Sequence, residues 1–264
     1  MTDKSQLFNK INTFFDRVFV ISLKESTDRQ ELFKDTLQGL DYEVFRGVNG
    51  KELEIQDLVK DGSLSTNISE SSSLTSGEIG CALSHLGVYK KIIDLNLKNA
   101  LILEDDLILD IQDSDNLHSL SKGLQELPDD WEFLYLGYAL NNNKMSYSAY
   151  LRSWLIYPIL SLYDRERFNP FKYRRRFPRK YSQNLQRAGY HYRLHSYGVS
   201  RAGAQKIIDY QTPIHLAADN AVSEMCTENR LNAFRLKKRI FFQNRDLDTT
   251  IKGRYNKNHS PHKN

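Results

Sequence analysis

The order of apolar and polar positions gives the first reading of this chain. RVFVISL (residues 17–23) is a β-branched apolar run that fits a strand buried on both faces. KESTDRQELFKDTLQGL follows and predicts a helix, with Asp28 as its cap, Leu32, Phe33 and Leu37 on one face and Gly39 as its stop. EVFRGV (residues 43–48) predicts a second strand. Strand, helix, strand in this order argues for an α/β sheet with a right-handed crossover.

Residues 62–77, GSLSTNISESSSLTSG, are small and polar and are expected to form a mobile loop. GEIGCALSHLGVYKKIIDLN then spaces Ile79, Leu83, Leu86, Ile93 and Leu97 as the stripe of a long helix. NALIL (residues 99–103), EFLYLG (132–137), LHSYGVS (194–200) and RIFFQ (239–243) predict further strands. RAGAQKIIDY (201–210) and LAADNAVSEMCTEN (216–229) predict further helices. Residues 141–193 break the pattern: they are crowded with Tyr and Arg and weakly periodic, and are read as an insertion on the α/β body. The basic, polar tail 251–264 is expected to be disordered, which leaves one domain over residues 1–250.

Composition narrows this picture. A chain of 264 residues that is 40% hydrophobic can bury a core of its own as one large domain. The formal net charge of +4 permits anionic partners without requiring them. Cys81 and Cys226 lie far apart without metal-ligand spacing, which fits free thiols in a reducing compartment. The N-terminus lacks the basic-then-apolar pattern of a secretory signal, and no apolar run reaches the about 20 residues of a membrane helix. WLIYPILSLY (residues 154–163) is too short and carries Pro158. The expected location is the cytoplasm.

Candidate chemistry concentrates in three places. NALILEDDLILD sets Glu104, Asp105 and Asp106 between core segments, although ionised groups lose hydration when buried. Alternation along a strand points Glu104 and Asp106 the same way. Two converging carboxylates repel unless a cation joins them, and Mn²⁺ or Mg²⁺ with oxygen ligands would serve a diphosphate substrate. A solvated turn is the bland alternative. In the long helix, Glu78, Cys81 and His85 rise along one face with Ser84 beside them, near an N-terminus suited to anions; each has an ordinary structural reading too. Asp219 stands near a helix start, where it caps the helix or does chemistry. Arg29 is either solvated or within reach of a phosphate or base.

Taken in order, these stretches resemble glycosyltransferase family 25. The resemblance rests on VFVISLKESTDRQE, GEIGCALSHLGVYKKII, ALILEDDLIL and HSYGVSRAGAQKII followed by ADN, and spans roughly residues 17–224. It implies a GT-A-like, Rossmann-type mixed sheet flanked by helices, and inverting transfer of a hexose, galactose from UDP-galactose first, to a lipopolysaccharide or other glycan acceptor. It implies Asp106 and Glu104 as metal ligands. Ser22, Leu23, Arg29, Ser84, His85, Glu104 and Asp105 would bind the donor. Asp219 is implied as the base, with Glu78 as runner-up. His195 and His215 are candidates for a third metal ligand. Ser22 stands where many members carry Asn, so nucleotide contacts are expected to differ. A nucleotidyltransferase would want a Gly-rich, Lys-bearing loop after the first strand, which SLKEST lacks; a non-catalytic nucleotide-sugar or lipid-core binding protein is the other alternative. The basic centre YRRRFPRKY, with WLIYPILSLY nearby, is expected either to meet phosphates and rest on an anionic membrane or to be a solvated loop. No nucleic-acid module surrounds it.

Overall fold

The computed structural model describes residues 3–67, 74–109, 114–139 and 144–244. Its elements in chain order are α1 (Asp3–Phe14), β1 (Arg17–Ser22), α2 (Thr27–Thr36), β2 (Glu43–Arg46), α3 (Ile55–Lys60), α4 (Ser76–Asp94), β3 (Asn99–Glu104) and β4 (Leu107–Leu109). Next come α5 (Ser114–Glu126), β5 (Phe133–Gly137), α6 (Tyr147–Leu151), a π-helical turn (Arg152–Ile156), α7 (Tyr157–Leu160) and α8 (Pro170–Arg175). The rest are β6 (Arg179–Lys180), β7 (Leu185–Arg187), β8 (Ser196–Ser200), α9 (Arg201–Gln211), α10 (Ala218–Glu228), β9 (Ala233–Leu236) and β10 (Phe241–Gln243).

Eight strands form one mixed sheet in the order β2-β1-β3-β8-β5-β9-β7-β6. β1 pairs parallel with β2 and β3, and β5 parallel with β9. β8 runs antiparallel between β3 and β5. β10 pairs with β4 as a separate ribbon. Alternation sorts the side chains into two cores. Phe19, Ala100, Ile102, Tyr135 and Tyr197 face α4, α9 and α10. Val18, Val20, Leu101, Leu103 and Leu134 face α1, α2 and α5. The result is helices on both faces of a mixed sheet, the α/β class expected from the sequence.

Several local expectations change. Asp28 does not cap α2: Ser26 holds the cap position, without a side-chain cap bond, and Asp28 sits in the first turn. Phe33 and Leu37 are buried, whereas Leu32 is 40% exposed, so the helix's inner face excludes it. Gly39, at φ +96, follows the helix end as a left-handed residue. The Tyr/Arg-rich stretch is helical where α6 to α8 run, and then supplies β6 and β7 to the sheet edge. The expected mobile loop lies partly, and the tail 251–264 wholly, outside the described residues. Among the described residues no helix is long and apolar enough to cross a membrane. Both cysteines are free thiols.

Candidate active site

β1 and β3 are parallel neighbours, so their C-terminal ends open on the same edge of the sheet, where open α/β sheets bind ligands. A cavity of 320 Å³ lies there, walled by Ser22, Leu23, Arg29, Cys81, Ser84, His85, Glu104, Asp105, Asp106 and Gln243 among others. All seven expected donor residues and both expected metal ligands therefore stand around one cavity. Asp219 and Glu78 are not in its wall.

Strand parity explains Glu104. Ile102 faces the core beneath α4, so Glu104, two residues on, turns to the same side and meets His85 Nε2 at 3.4 Å. The other ring nitrogen of His85 bonds Tyr197 Oη at 2.7 Å, and Tyr197 Oη bonds Tyr89 Oη at 2.8 Å. This buried chain fixes the imidazole's orientation toward the cavity. Cys81, His85 and Glu104 each offer a ligand atom within 4.8 Å of the others. Strand alternation stops at Glu104, because β3 ends there and Asp105 and Asp106 form a turn. Asp106 reaches the same cavity through that turn, not through strand alternation.

The two aspartates differ. Asp105 is held by Ser22 Oγ at 2.7 Å and Arg29 Nη1 at 3.0 Å. Its carboxyl is raised above the ordinary range by burial, which these two donors only partly offset. Arg29 is thus neither solvated nor aimed freely at a ligand; it braces the acidic turn. The Asp106 carboxylate accepts from Gln243 Nε2 at 2.7 Å on its Oδ2, and its backbone carbonyl from Asn244 N at 2.6 Å. Its Oδ1 is buried with no hydrogen-bond partner among the described residues. Burial first, and the charge of Glu104 second, push its carboxyl up to about 7. For Glu104 burial also acts upward, but the hydrogen bond and charge of His85, with His195 and Arg29, hold it below the usual range.

The helix-side wall has a steric reason. Thr75 and Glu78 form a capping box at the start of α4, with Thr75 N donating to Glu78 Oε2 at 2.8 Å. Glu78 is thereby turned back along its own helix. Ser76 and Gly77 of the first turn line the cavity, which puts the positive end of α4 there. A Cβ on Gly80 would lie 2.7 Å from Gly50 N and Val48 O, so only glycine lets the 48–50 loop close against α4. Ser84 ties the same loop down, accepting from Val48 N at 2.8 Å and donating to Gly80 O at 2.7 Å.

Asp219 sits in the first turn of α10, where Ala217 is the cap residue. Its Oδ2 accepts from Arg193 N at 2.9 Å. Burial, with the charges of Glu104 and Glu78, outweighs two backbone donors and raises its carboxyl. Its charge, after burial and the charge of Glu104, helps push the Cys81 thiol up. His195 spends Nε2 on Phe241 O at 3.2 Å, and His215 sets Nδ1 on Pro213 O at 3.2 Å; neither lines the cavity. The imidazole in the wall is that of His85. Gln243 and the 48–51 loop were missed in the sequence: Gln243 is 137 residues from Asp106, and no local signal links them. A larger cleft of 520 Å³ lies near the N-terminal ends of β5 and β9, but its Glu132 is paired with Lys206 at 2.5 Å and its Arg230 with Glu228 at 2.9 Å.

Comparison with known proteins follows the same residues. Residues 15–222 match the family model of glycosyltransferase family 25 (LPS biosynthesis protein). Procollagen galactosyltransferase 2 of Homo sapiens is 34% identical over 134 residues, 47% of this chain and 21% of that protein. Procollagen galactosyltransferase 1-A of Xenopus laevis is 37% identical over 129 residues, with the same shares. A glycosyltransferase 25 family member of Drosophila melanogaster is 37% identical over 98 residues, 35% of this chain and 16% of that protein. The chain matches about a fifth of the length of these relatives. With the match covering seven of the eight strands of the sheet, the acidic turn and the start of α10, the chain belongs to glycosyltransferase family 25.

Proposed function

We propose that the chain transfers a hexose from a nucleotide diphosphate donor to a glycan hydroxyl, with inversion at the anomeric carbon. Galactose from UDP-galactose is the donor of choice because the named relatives are galactosyltransferases. The family description points to a lipopolysaccharide-type acceptor. The observation that carries the reading is Asp106 Oδ1, buried without a partner among the described residues in the wall of a cavity shared with Glu104.

That donor set fits a hard divalent cation, since the charge of Glu104 makes Asp106 costlier to ionise and one Asp106 oxygen lacks a partner among the described residues. Asp106 and Glu104 would hold Mn²⁺ or Mg²⁺. When bound, such an ion offsets the charge of a diphosphate leaving group. The chain's own groups do the rest. Ser76 and Gly77 bring the positive end of α4 to the cavity, where it favours a diphosphate. Ser22, Leu23 and Arg29 border the nucleotide, with Asp105 locked between Ser22 and Arg29 as a rigid floor. Ser84 holds the 48–50 loop in place and His85 lines the donor wall. Asp219 accepts the acceptor hydroxyl's proton; its raised carboxyl makes it a stronger base than an exposed aspartate. Glu78 is second choice, because its carboxylate serves the capping box.

The test is UDP release from a panel of UDP-hexoses with Mn²⁺ and truncated oligosaccharide cores. The reading expects release with at least one hexose, lost in Asp106→Ala. Donor binding without release across the whole panel would instead mark a nucleotide-sugar binding protein.

A further inference from the structure

The stretch from α6 to α8 reverses the usual order of a surface helix. α6, the π-helical turn and α7 form one helical path from Tyr147 to Leu160. Pro158 lacks an amide hydrogen, and the widened π turn just before it accommodates the missing backbone donor. On the inner side, Ser153 is fully buried and Tyr157 packs edge-on against Tyr173, centroids 4.5 Å apart. On the outer side stand Trp154, Leu155 and Ile159, and beyond the helix end Leu162, which is 84% exposed, and Tyr163, 87%. The apolar side faces water.

Charge surrounds this face. Residues 147–176 hold seven Arg or Lys against Asp164 and Glu166. Arg152, Arg165, Arg167 and Arg176 are exposed. Arg174 lies over the Trp154 ring, 3.8 Å from its centroid, so cationic and apolar groups share one surface. α8 packs on α10, the helix whose first turn holds Asp219.

We propose that residues 147–176 are a docking surface for an anionic lipid bilayer, with Trp154, Leu155, Ile159 and Leu162 entering the headgroup boundary and the arginines meeting lipid phosphates. The apolar face selects a surface that can bury it, and the basic rim selects an anionic one. A second copy of this chain would bring the same basic rim against itself. The inference does not use the donor site, so either reading can fail alone.

Trp154 provides the readout, because the other tryptophan, Trp131, is buried. The full chain is mixed with vesicles of phosphatidylglycerol and phosphatidylcholine, or of phosphatidylcholine alone, and emission and co-sedimentation are followed. Blue-shifted emission with the anionic vesicles, and binding weakened at least ~10-fold by added salt, is expected. The pair Leu155→Glu and Leu162→Glu, both at exposed positions, should lower binding by ~10-fold or more while the circular dichroism spectrum and UDP-donor affinity stay unchanged. No binding by the native chain, or binding that the pair leaves intact, overturns the proposal. So does self-association, measured by light scattering, that the same pair abolishes.

Discussion

A carboxylate that has lost water with a partner on only one of its oxygens resists ionisation, and among the described residues Asp106 is in that position. Its carboxyl is raised in the fold, so its ionised form opposes folding. The stability is therefore intact at acidic pH, below the ordinary carboxylate range, and declines as pH climbs through about 7. In EDTA, Asp106→Asn should be nearly equal in stability to the native chain near pH 3.5 and more stable than it at pH 8 by about 2 kcal/mol or more, as read by urea unfolding. A less stable variant at pH 8 would contradict the description of this side chain. Asp219 calls for a different readout. Asp219→Asn should lower kcat by ~10²–10⁴ and leave donor affinity intact, because the base acts on the acceptor. Equal losses in affinity and kcat would point to a structural role.

At the scale of elements, β1 and β3 were legible because buried parallel strands are written as apolar runs, and α4 because its stripe repeats at helical spacing. β9 was not. Its sequence AFRL places a charged residue mid-strand, and buried Arg235 donates to Gln186 on neighbouring β7 at 2.9 Å and 2.6 Å and lies over the Tyr138 ring. That compensation is visible in space and not along the chain. The role of Gly80 was equally hidden: its need for a bare Cα comes from the backbone of residues 48–50. In a helix interior Gly→Ala ordinarily stabilises, by up to about 1 kcal/mol. Gly80→Ala should do the reverse, costing about 2 kcal/mol or more in urea unfolding and weakening donor binding, since the cavity wall must shift. A stabilised variant would show that the loop does not pack as described.

Over the whole molecule, the sheet separates two cores, and the candidate site lies where its parallel strands end. Sequence order revealed the sheet and the acidic turn. It did not reveal that Gln243 returns to Asp106 or that Glu78 is taken up by a cap, because each depends on contacts closed only by the fold. Global stability carries a second pH signature. His191 is buried, its Nδ1 has no hydrogen-bond partner among the described residues, and burial followed by the charge of Arg235 lowers it to about 3. A histidine kept neutral in the fold contributes stability above its ordinary value near 6.5, and that contribution is lost as pH falls toward about 3. His191→Gln should make this acid limb shallower by up to about 1.4 kcal/mol per pH unit between pH 6 and 4. An unchanged slope would show that His191 does not govern it. The account as a whole depends on one event, the capture of a divalent cation and a UDP-sugar together at the tips of β1 and β3. Calorimetric titration of UDP-galactose into the native chain, with Mn²⁺ and then with EDTA, tests it most directly. The account predicts binding that needs the cation, is lost in Asp106→Asn and persists in Asp219→Asn. Binding of equal strength in EDTA, indifferent to both Asp106→Asn and Glu104→Gln, would contradict it.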